Sequence, residues 1–172
     1  MKTDCISFII IMDMILSLYI QKFPKIKITR EALFLLMNIL FFLTPKSEVA
    51  FIENTYTLRQ ILEKMEIHRY SAIPVLSGNG EYVGTITEGD ILWFCKKTGL
   101  KHLTESEDIH LSDIPKKFEY ASVSINSDME DLISRAMAQN FVPVVDDHNK
   151  FIGIVTRKDI IGYCYKKLSQ PT

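Results

Sequence analysis

Neither sign of charge dominates this chain. Twenty Lys and Arg stand against 21 Asp and Glu, a formal net charge of −1 over 172 residues. The basic excess that marks nucleic-acid binding is therefore missing. Cysteine is scarce: Cys5, Cys95 and Cys164 make an odd count with no C-x-x-C. That argues against a disulfide framework or a zinc cluster and for a reducing, cytoplasmic setting. No Ser-His-Asp, Cys-His or metal-ligating cluster can be drawn, so nothing points to catalysis. His68 follows a helical pattern and reads as a packing or capping residue, while His102 and His110 lack a Cys or carboxylate at ligand spacing. The basic pairs Lys96-Lys97, Lys116-Lys117, Arg157-Lys158 and Lys166-Lys167 are weak evidence for a charged partner, since runs this short are mostly solvated helix ends.

Long apolar runs are absent too. Ile6 to Ile20 is interrupted by Asp13, and the run from Leu33 to Leu43 is shorter still; a bilayer span needs roughly 20 residues. No small-residue cleavage site follows the first run. Residues 1–43 form a hydrophobic extension with three readings: an amphipathic helix packed on the domain, an extension of little function with the working chain starting near Met37, or, least favoured, a membrane anchor.

What the chain does contain is a duplication. Ile73-Pro74-Val75-Leu76, then Gly84-Thr85-Ile86-Thr87-Glu88-Gly89-Asp90-Ile91, returns as Val142-Pro143-Val144-Val145, then Gly153-Ile154-Val155-Thr156-Arg157-Lys158-Asp159-Ile160, at a constant offset of 69. An internal repeat decides architecture before any other feature. Each copy places a Thr hydroxyl and an Asp carboxylate where a strand passes into a helix.

The pattern predicts β-α-β-β-α twice. In the first copy Val49-Ala50-Phe51-Ile52 is a short strand. Thr57-Leu58-Arg59-Gln60 fits a capping box, and Leu58, Ile61, Leu62 and Met65 give a buried helix face. Tyr70 to Leu76 and Tyr82 to Thr87 are strands about a Ser77-Gly78-Asn79-Gly80 turn, and a helix closes the copy. Pro74, with no N–H to donate, suits an edge position or a strand start. In the second copy Ser122 to Ile125 is a strand, Ser127-Asp128-Met129-Glu130 a further capping box, and Phe141 to Val145 and Phe151 to Thr156 the hairpin. Repeats of this size bury too little alone, so the two should pack as one globule. The predicted organisation is extension 1–43, first repeat 44–98, polar linker 99–118 and second repeat 119–168. Trp93 reads as a core or dimer-interface residue.

The duplicated h-P-V-h…G-h-h-T-x-x-D-h pattern resembles a tandem CBS-domain pair over about residues 44–168. The resemblance implies an α/β (α+β) fold of two repeats related by a pseudo-two-fold axis. It implies two clefts between the sheets that take adenosine ligands (AMP, ADP, ATP, S-adenosylmethionine or cyclic di-AMP), homodimers of pairs, and a partner protein that reads the bound state. No cofactor is implied beyond the regulatory nucleotide.

The residue chemistry fits that expectation. A carboxylate at a strand end can accept from ribose hydroxyls. A Thr hydroxyl and the N–H groups opening a helix favour phosphate, and Arg157 adds a planar cation. Thr156, Arg157 and Asp159 therefore mark the main cleft. By resemblance its adenine contacts come from Lys46, Ser47, Val49 and Ala50 and from Tyr70, Ser71, Ala72, Ile73 and Pro74. The second cleft takes Thr87, Asp90, Ser122, Val123, Phe141, Val142 and Pro143. It is expected to be weaker, because Glu88 stands where Arg157 does and would repel phosphate, and because Phe141 can fill the slot. The competing reading is structural: Asp90 and Asp159 cap helices, and Thr87 and Thr156 make local hydrogen bonds. In that case the chain is a ligand-free interaction module.

Overall fold

The structure is a computed structural model that describes residues 38–100, 102 and 106–169. The readings made for residues 1–37 lie outside the described residues. The chain divides into compact units Met1–Asn38 and Ile39–Thr172, and every element named below belongs to the second.

Strands β1 (Thr44–Pro45), β2 (Ile52–Glu53), β3 (Ala72–Leu76), β4 (Tyr82–Thr87), β5 (Val123–Ser124), β6 (Phe141–Val145) and β7 (Phe151–Thr156) alternate with helices α1 (Leu58–His68), α2 (Glu88–Thr98), α3 (Met129–Ala138) and α4 (Arg157–Ser169). They form two sheets, ordered β2-β3-β4 and β1-β7-β6-β5. The mixed α/β fold of two β-α-β-β-α repeats is as expected.

Side-chain alternation explains why two such repeats pack as one body. All five residues of β3 and all five of β6 are buried, because each strand is covered on both faces. Ile73 and Val75 join Leu58, Ile61 and Met65 of α1 in the core of the first repeat. The opposite face, Ala72 and Leu76, meets Phe141 and Val145 of β6 in a second cluster that also holds Val49, Tyr82, Phe151 and Ile154. These come in pairs related by the repeat: Ala72 with Phe141, Leu76 with Val145, Tyr82 with Phe151. The hairpin turns also bond across the pseudo-two-fold: the Tyr82 N–H donates to the Asn149 carbonyl (3.2 Å) and the Phe151 N–H to the Gly80 carbonyl (3.0 Å).

Several local expectations are corrected. Pro74 lies in the middle of a central strand, paired with Thr85 of β4. It is tolerated there because the two-residue β2 pairs only with Val75 and Leu76, leaving no β2 ladder for Pro74 to interrupt. The first short strand is Ile52–Glu53 rather than Val49–Ile52. Lys46–Glu48 is a 3-10 turn closed by the Val49 N–H on the Lys46 carbonyl, and this keeps Val49 and Ala50 out of a ladder. The Thr57–Gln60 capping box is complete. The second is displaced: Asp128 is the N-cap of α3 and accepts from the Asp131 N–H at 2.8 Å, while the Ser127 N–H closes a turn on the Ser124 carbonyl (2.9 Å). Trp93 is not core, being 55% exposed.

The linker is not a simple polar connection. Leu111 and Ile114 are buried in the core of the first repeat. The Leu58 N–H donates to the Ile109 carbonyl (2.8 Å) and the Leu111 N–H to the Tyr56 carbonyl (3.1 Å). Residues 109–114 are thereby strapped onto α1.

Candidate functional site

The two Thr-x-x-Asp corners share local chemistry but differ in surroundings. Thr87 is the N-cap of α2. Its hydroxyl accepts from the Asp90 N–H (3.1 Å) and donates to Asp90 Oδ2 (2.7 Å), which also accepts from the Thr87 N–H (3.1 Å). Oδ1 of Asp90 accepts from the Lys117 N–H at 3.0 Å. Asp90 is 5% exposed, and both its oxygens are engaged.

At the other corner the Thr156 hydroxyl accepts from the Asp159 N–H (3.1 Å) and donates to Asp159 Oδ2 (2.5 Å). Here the carboxylate is exposed, and Oδ1 has no hydrogen bond among the described residues. An ionised carboxylate with a spare oxygen at the opening turn of a helix can accept from neighbouring hydroxyls, while the helix N–H groups favour an anion.

The backbone brings the lead-in of the first repeat to the sheet that ends in Thr156. β1 pairs antiparallel with β7, Thr44 against Ile154 and Pro45 against Gly153, and the Lys46–Glu48 turn packs on β7. The approach is close: a Cβ on Gly153 would lie 2.2 Å from the Thr44 carbonyl oxygen. Lys46 Nζ sits 5.1 Å from the Phe51 ring centroid. Ser47 is exposed and Ala50 half-buried. Val49 and Ala72 are buried together in the inter-repeat cluster. Tyr70 packs half-buried against the first core, and Ile73 is buried inside it; Pro74 is buried as well. Ser71 is exposed, and its carbonyl accepts the Glu88 N–H at 3.0 Å. Among the described residues no hydrogen bond joins Tyr70 or Ser71 to Asp159.

Arg157 takes a position that the sequence does not announce. Its Nε donates to the Ala136 carbonyl (2.7 Å) and Nη2 to the Gln139 carbonyl (2.8 Å). The guanidinium therefore holds the last carbonyls of α3, where a cation also suits the helix dipole.

The surroundings of Asp90 are crowded with aromatic groups. Phe141 and Tyr120 pack with their rings tilted by 36° and their centroids 5.4 Å apart. The Tyr82 hydroxyl donates to the Tyr120 carbonyl (2.8 Å) and lies 2.8 Å from Thr85 Oγ1. Burial pushes both phenols above their usual range. Val123 and Val142 are buried in the second repeat with Pro143 beside them, and Ser122 is half-buried on the wall of a cleft of about 770 Å³.

That cleft runs between β4 and residues 116–122 and includes Lys116, Lys117 and Arg135, none of them among the expected site residues. A signal for the lysines was present. Ile52 and Val123 hold equivalent strand positions, which sets an offset of 71 ahead of the first helix of each repeat. At that offset Lys46-Ser47-Glu48-Val49-Ala50 matches Lys117-Phe118-Glu119-Tyr120-Ala121. The equivalents of Lys46, Ser47, Val49 and Ala50 are therefore Lys117, Phe118, Tyr120 and Ala121. Among the described residues no cluster of His, Cys, Asp or Glu could hold a metal ion, and no helix is long and apolar enough to cross a membrane.

Comparison with known proteins agrees with this architecture. The CBS domain family model matches residues 42–97 and 111–166. A crystal structure of CbpB in complex with c-di-AMP is 26% identical, with a TM-score of 0.68 over 78% of this chain and 89% of that one. A CBS domain protein from Streptococcus pneumoniae TIGR4 is also 26% identical, with a TM-score of 0.71 over 80% and 93%. The uncharacterized protein MJ1225 of Methanocaldococcus jannaschii is 27% identical over 127 residues, 67% of this chain. The chain spans 45% of that relative's length.

Proposed function

Because the chain belongs to the CBS-domain family, carrying the domain twice, we propose that it is a regulatory module that binds an adenine nucleotide: AMP, ADP, ATP or cyclic di-AMP. Occupancy shifts the arrangement of the two repeats, and an effector protein reads the shift. The observation that carries this reading is the open Asp159 corner. Its spare oxygen suits a ribose hydroxyl, the opening turn of α4 suits phosphate, and the strap of β1 on β7 brings the Lys46–Ala50 lead-in to the same sheet. The small side chains of Val49 and Ala72 stand where the other half of the pair has Tyr120 and Phe141, which supports room for a base on this side. The c-di-AMP bound by CbpB, at 26% identity, supports an adenine ligand of this class. In this reading Arg157 chiefly anchors the end of α3, and a phosphate contact uses its remaining amine.

The module acts by binding rather than by catalysis, in the cytoplasm and as a homodimer. Ligand can bias the repeats only by its differential affinity for their two arrangements. Thermal melts with the four nucleotides test the proposal. At 100 times Kd the bound state gains about 2.7 kcal/mol, read as a rise in Tm; unchanged melts with all four would refute it.

A second reading, a ligand-free dimerisation or protein-interaction module, is favoured by one observation. Both Asp side chains already bond within their helix starts, while Leu92 and Trp93 of α2 and Ile161 of α4 are more than half exposed. Tight self-association with no nucleotide response selects it.

A further inference from the structure

Counterparts meet across the pseudo-two-fold, and on the face between the repeats the two copies have not stayed alike. Glu81 and Lys150 hold equivalent positions at the repeat offset of 69 and form an isolated antiparallel bridge. Lys150 Nζ donates to Glu81 Oε1 (3.2 Å) and to the Asn79 carbonyl (2.8 Å). The other carboxylate oxygen of Glu81 accepts from the Ser77 hydroxyl at 3.4 Å. Tyr82 and Phe151, the next counterparts, stack with ring centroids 6.3 Å apart. The buried cluster behind them combines a small and a large counterpart, Ala72 and Phe141. Two like repeats brought face to face lose this fit. Two first repeats oppose Glu81 to Glu81, leave the Asn79 carbonyl without its donor and set Ala72 against Ala72, with too little volume to fill the space. Two second repeats oppose Lys150 to Lys150 and crowd Phe141 against Phe141. With side chains 41% and 40% exposed, the ion pair itself adds little stability. Like charges in its place are costly, so the pair acts on the choice of partner more than on the strength of pairing.

We propose that Glu81 and Lys150 commit the first repeat to the second repeat of its own chain and exclude the pairing of like repeats between two chains. The inference is independent of nucleotide binding. A carbodiimide, which condenses a contacting amine and carboxylate into an amide, reads it in the full chain. Chains labelled with light and with heavy nitrogen are unfolded together, refolded as a mixture and treated with the reagent. Peptides joined at positions 81 and 150 are then weighed by mass spectrometry. Wild type gives a link between Glu81 and Lys150 with both peptides of one isotope. Next, Glu81→Lys chains, light, are refolded with Lys150→Glu chains, heavy. Within either variant the two positions carry like charges, whereas every pairing of these positions across the two variants sets unlike charges together. Links of mixed isotope rise about tenfold over those of wild type. Both side chains are partly exposed, so the variants keep the fold, which circular dichroism of the mixture checks; the wild-type arm stands without them. A wild-type chain with no Glu81–Lys150 link, or with links mostly of mixed isotope, overturns the proposal. So does a variant mixture whose mixed links stay as rare as those of wild type.

Discussion

Asp90 and Asp159 occupy the same place in two copies of one motif, and their environments have diverged. The first is buried, with both oxygens bonded, the outer one to the amide of Lys117. The second is exposed, with one oxygen bonded to Thr156 and the other open. The motif specifies a helix cap in both cases. What differs is supplied by distant chain: residues 116–122 lie against the first corner, whereas the lead-in of the first repeat is held to β7 as a strand. Duplication provides two corners, and the surrounding chain makes one a structural clasp and leaves the other with an exposed carboxylate.

The sharpest way to break this comparison is at the paired glycines. Gly84 and Gly153 share nearly the same backbone, φ 147° and 159°, so the conformational cost of a side chain is common to both. At Gly153 an added methyl meets the Thr44 carbonyl at 2.2 Å, whereas at Gly84 it meets only the end of Lys116. Gly153→Ala should cost about 3 kcal/mol more than Gly84→Ala, as overpacking against backbone does, and should lift β1 from β7. Urea unfolding of both variants measures it; equal costs would mean that the β1 strap is not tight.

The carboxylates come next. Asp90→Ala removes a buried acceptor and strands the Lys117 amide, at a cost of about 1–3 kcal/mol in the unliganded protein. Asp159→Ala loses only an exposed carboxylate at a helix start, about 0.3–1 kcal/mol. Chemical denaturation without ligand reads this order, and its reversal would contradict the assignment of clasp and open corner. The helix caps give a smaller and more even pair. Thr57→Ala and Asp128→Ala should each cost about 1 kcal/mol, with α1 protected by the additional Gln60 bond to the Thr57 N–H.

The smallest expected effect lies in the hairpin turns. Asp146 accepts from the Lys150 N–H (2.8 Å) and the His148 N–H (2.9 Å). Those bonds, the one from Lys150 first, hold its carboxyl below the usual value. A depressed folded pKa means stabilisation that is present above the unfolded pKa and lost as pH falls through the folded one. In the first repeat Ser77 Oγ takes the corresponding amide, that of Glu81, at 3.2 Å, and a hydroxyl does not titrate there. Amide-proton NMR should show the Lys150 resonance shifting on acidification with the Asp146 titration, while that of Glu81 follows no such acceptor. Identical profiles would count against the exchange of roles between Ser77 and Asp146.

The architecture was legible because its signals are local and duplicated. Thr87-x-x-Asp90 and Thr156-x-x-Asp159 sit at one offset, and the hairpin strands carry continuous apolar residues. The lead-in chemistry was harder to read, because the offset changes from 69 to 71 ahead of the first helix in each repeat. Lys117 and Phe118 therefore fall in the expected linker, and the run from Lys117 to Ala121 does not register as the counterpart of Lys46 to Ala50. Two-residue strands such as β2 and β5 carry too little pattern to locate, and Pro74 reads as an edge residue until the brevity of β2 is known. The positions of Arg157 and Arg135 are tertiary facts: one guanidinium turns back onto the end of α3, and the other lies on the wall of the cleft beside residues 116–122 with its Nε buried. Neither follows from spacing along the chain.

The most direct measurement is a calorimetric titration of AMP, ADP, ATP and cyclic di-AMP into wild type, Asp159→Ala and Asp90→Ala. The account predicts saturable binding of at least one nucleotide to wild type, its loss in Asp159→Ala, and substantial retention in Asp90→Ala. Binding that survives Asp159→Ala undiminished, or that no nucleotide achieves with the wild-type chain, would contradict it.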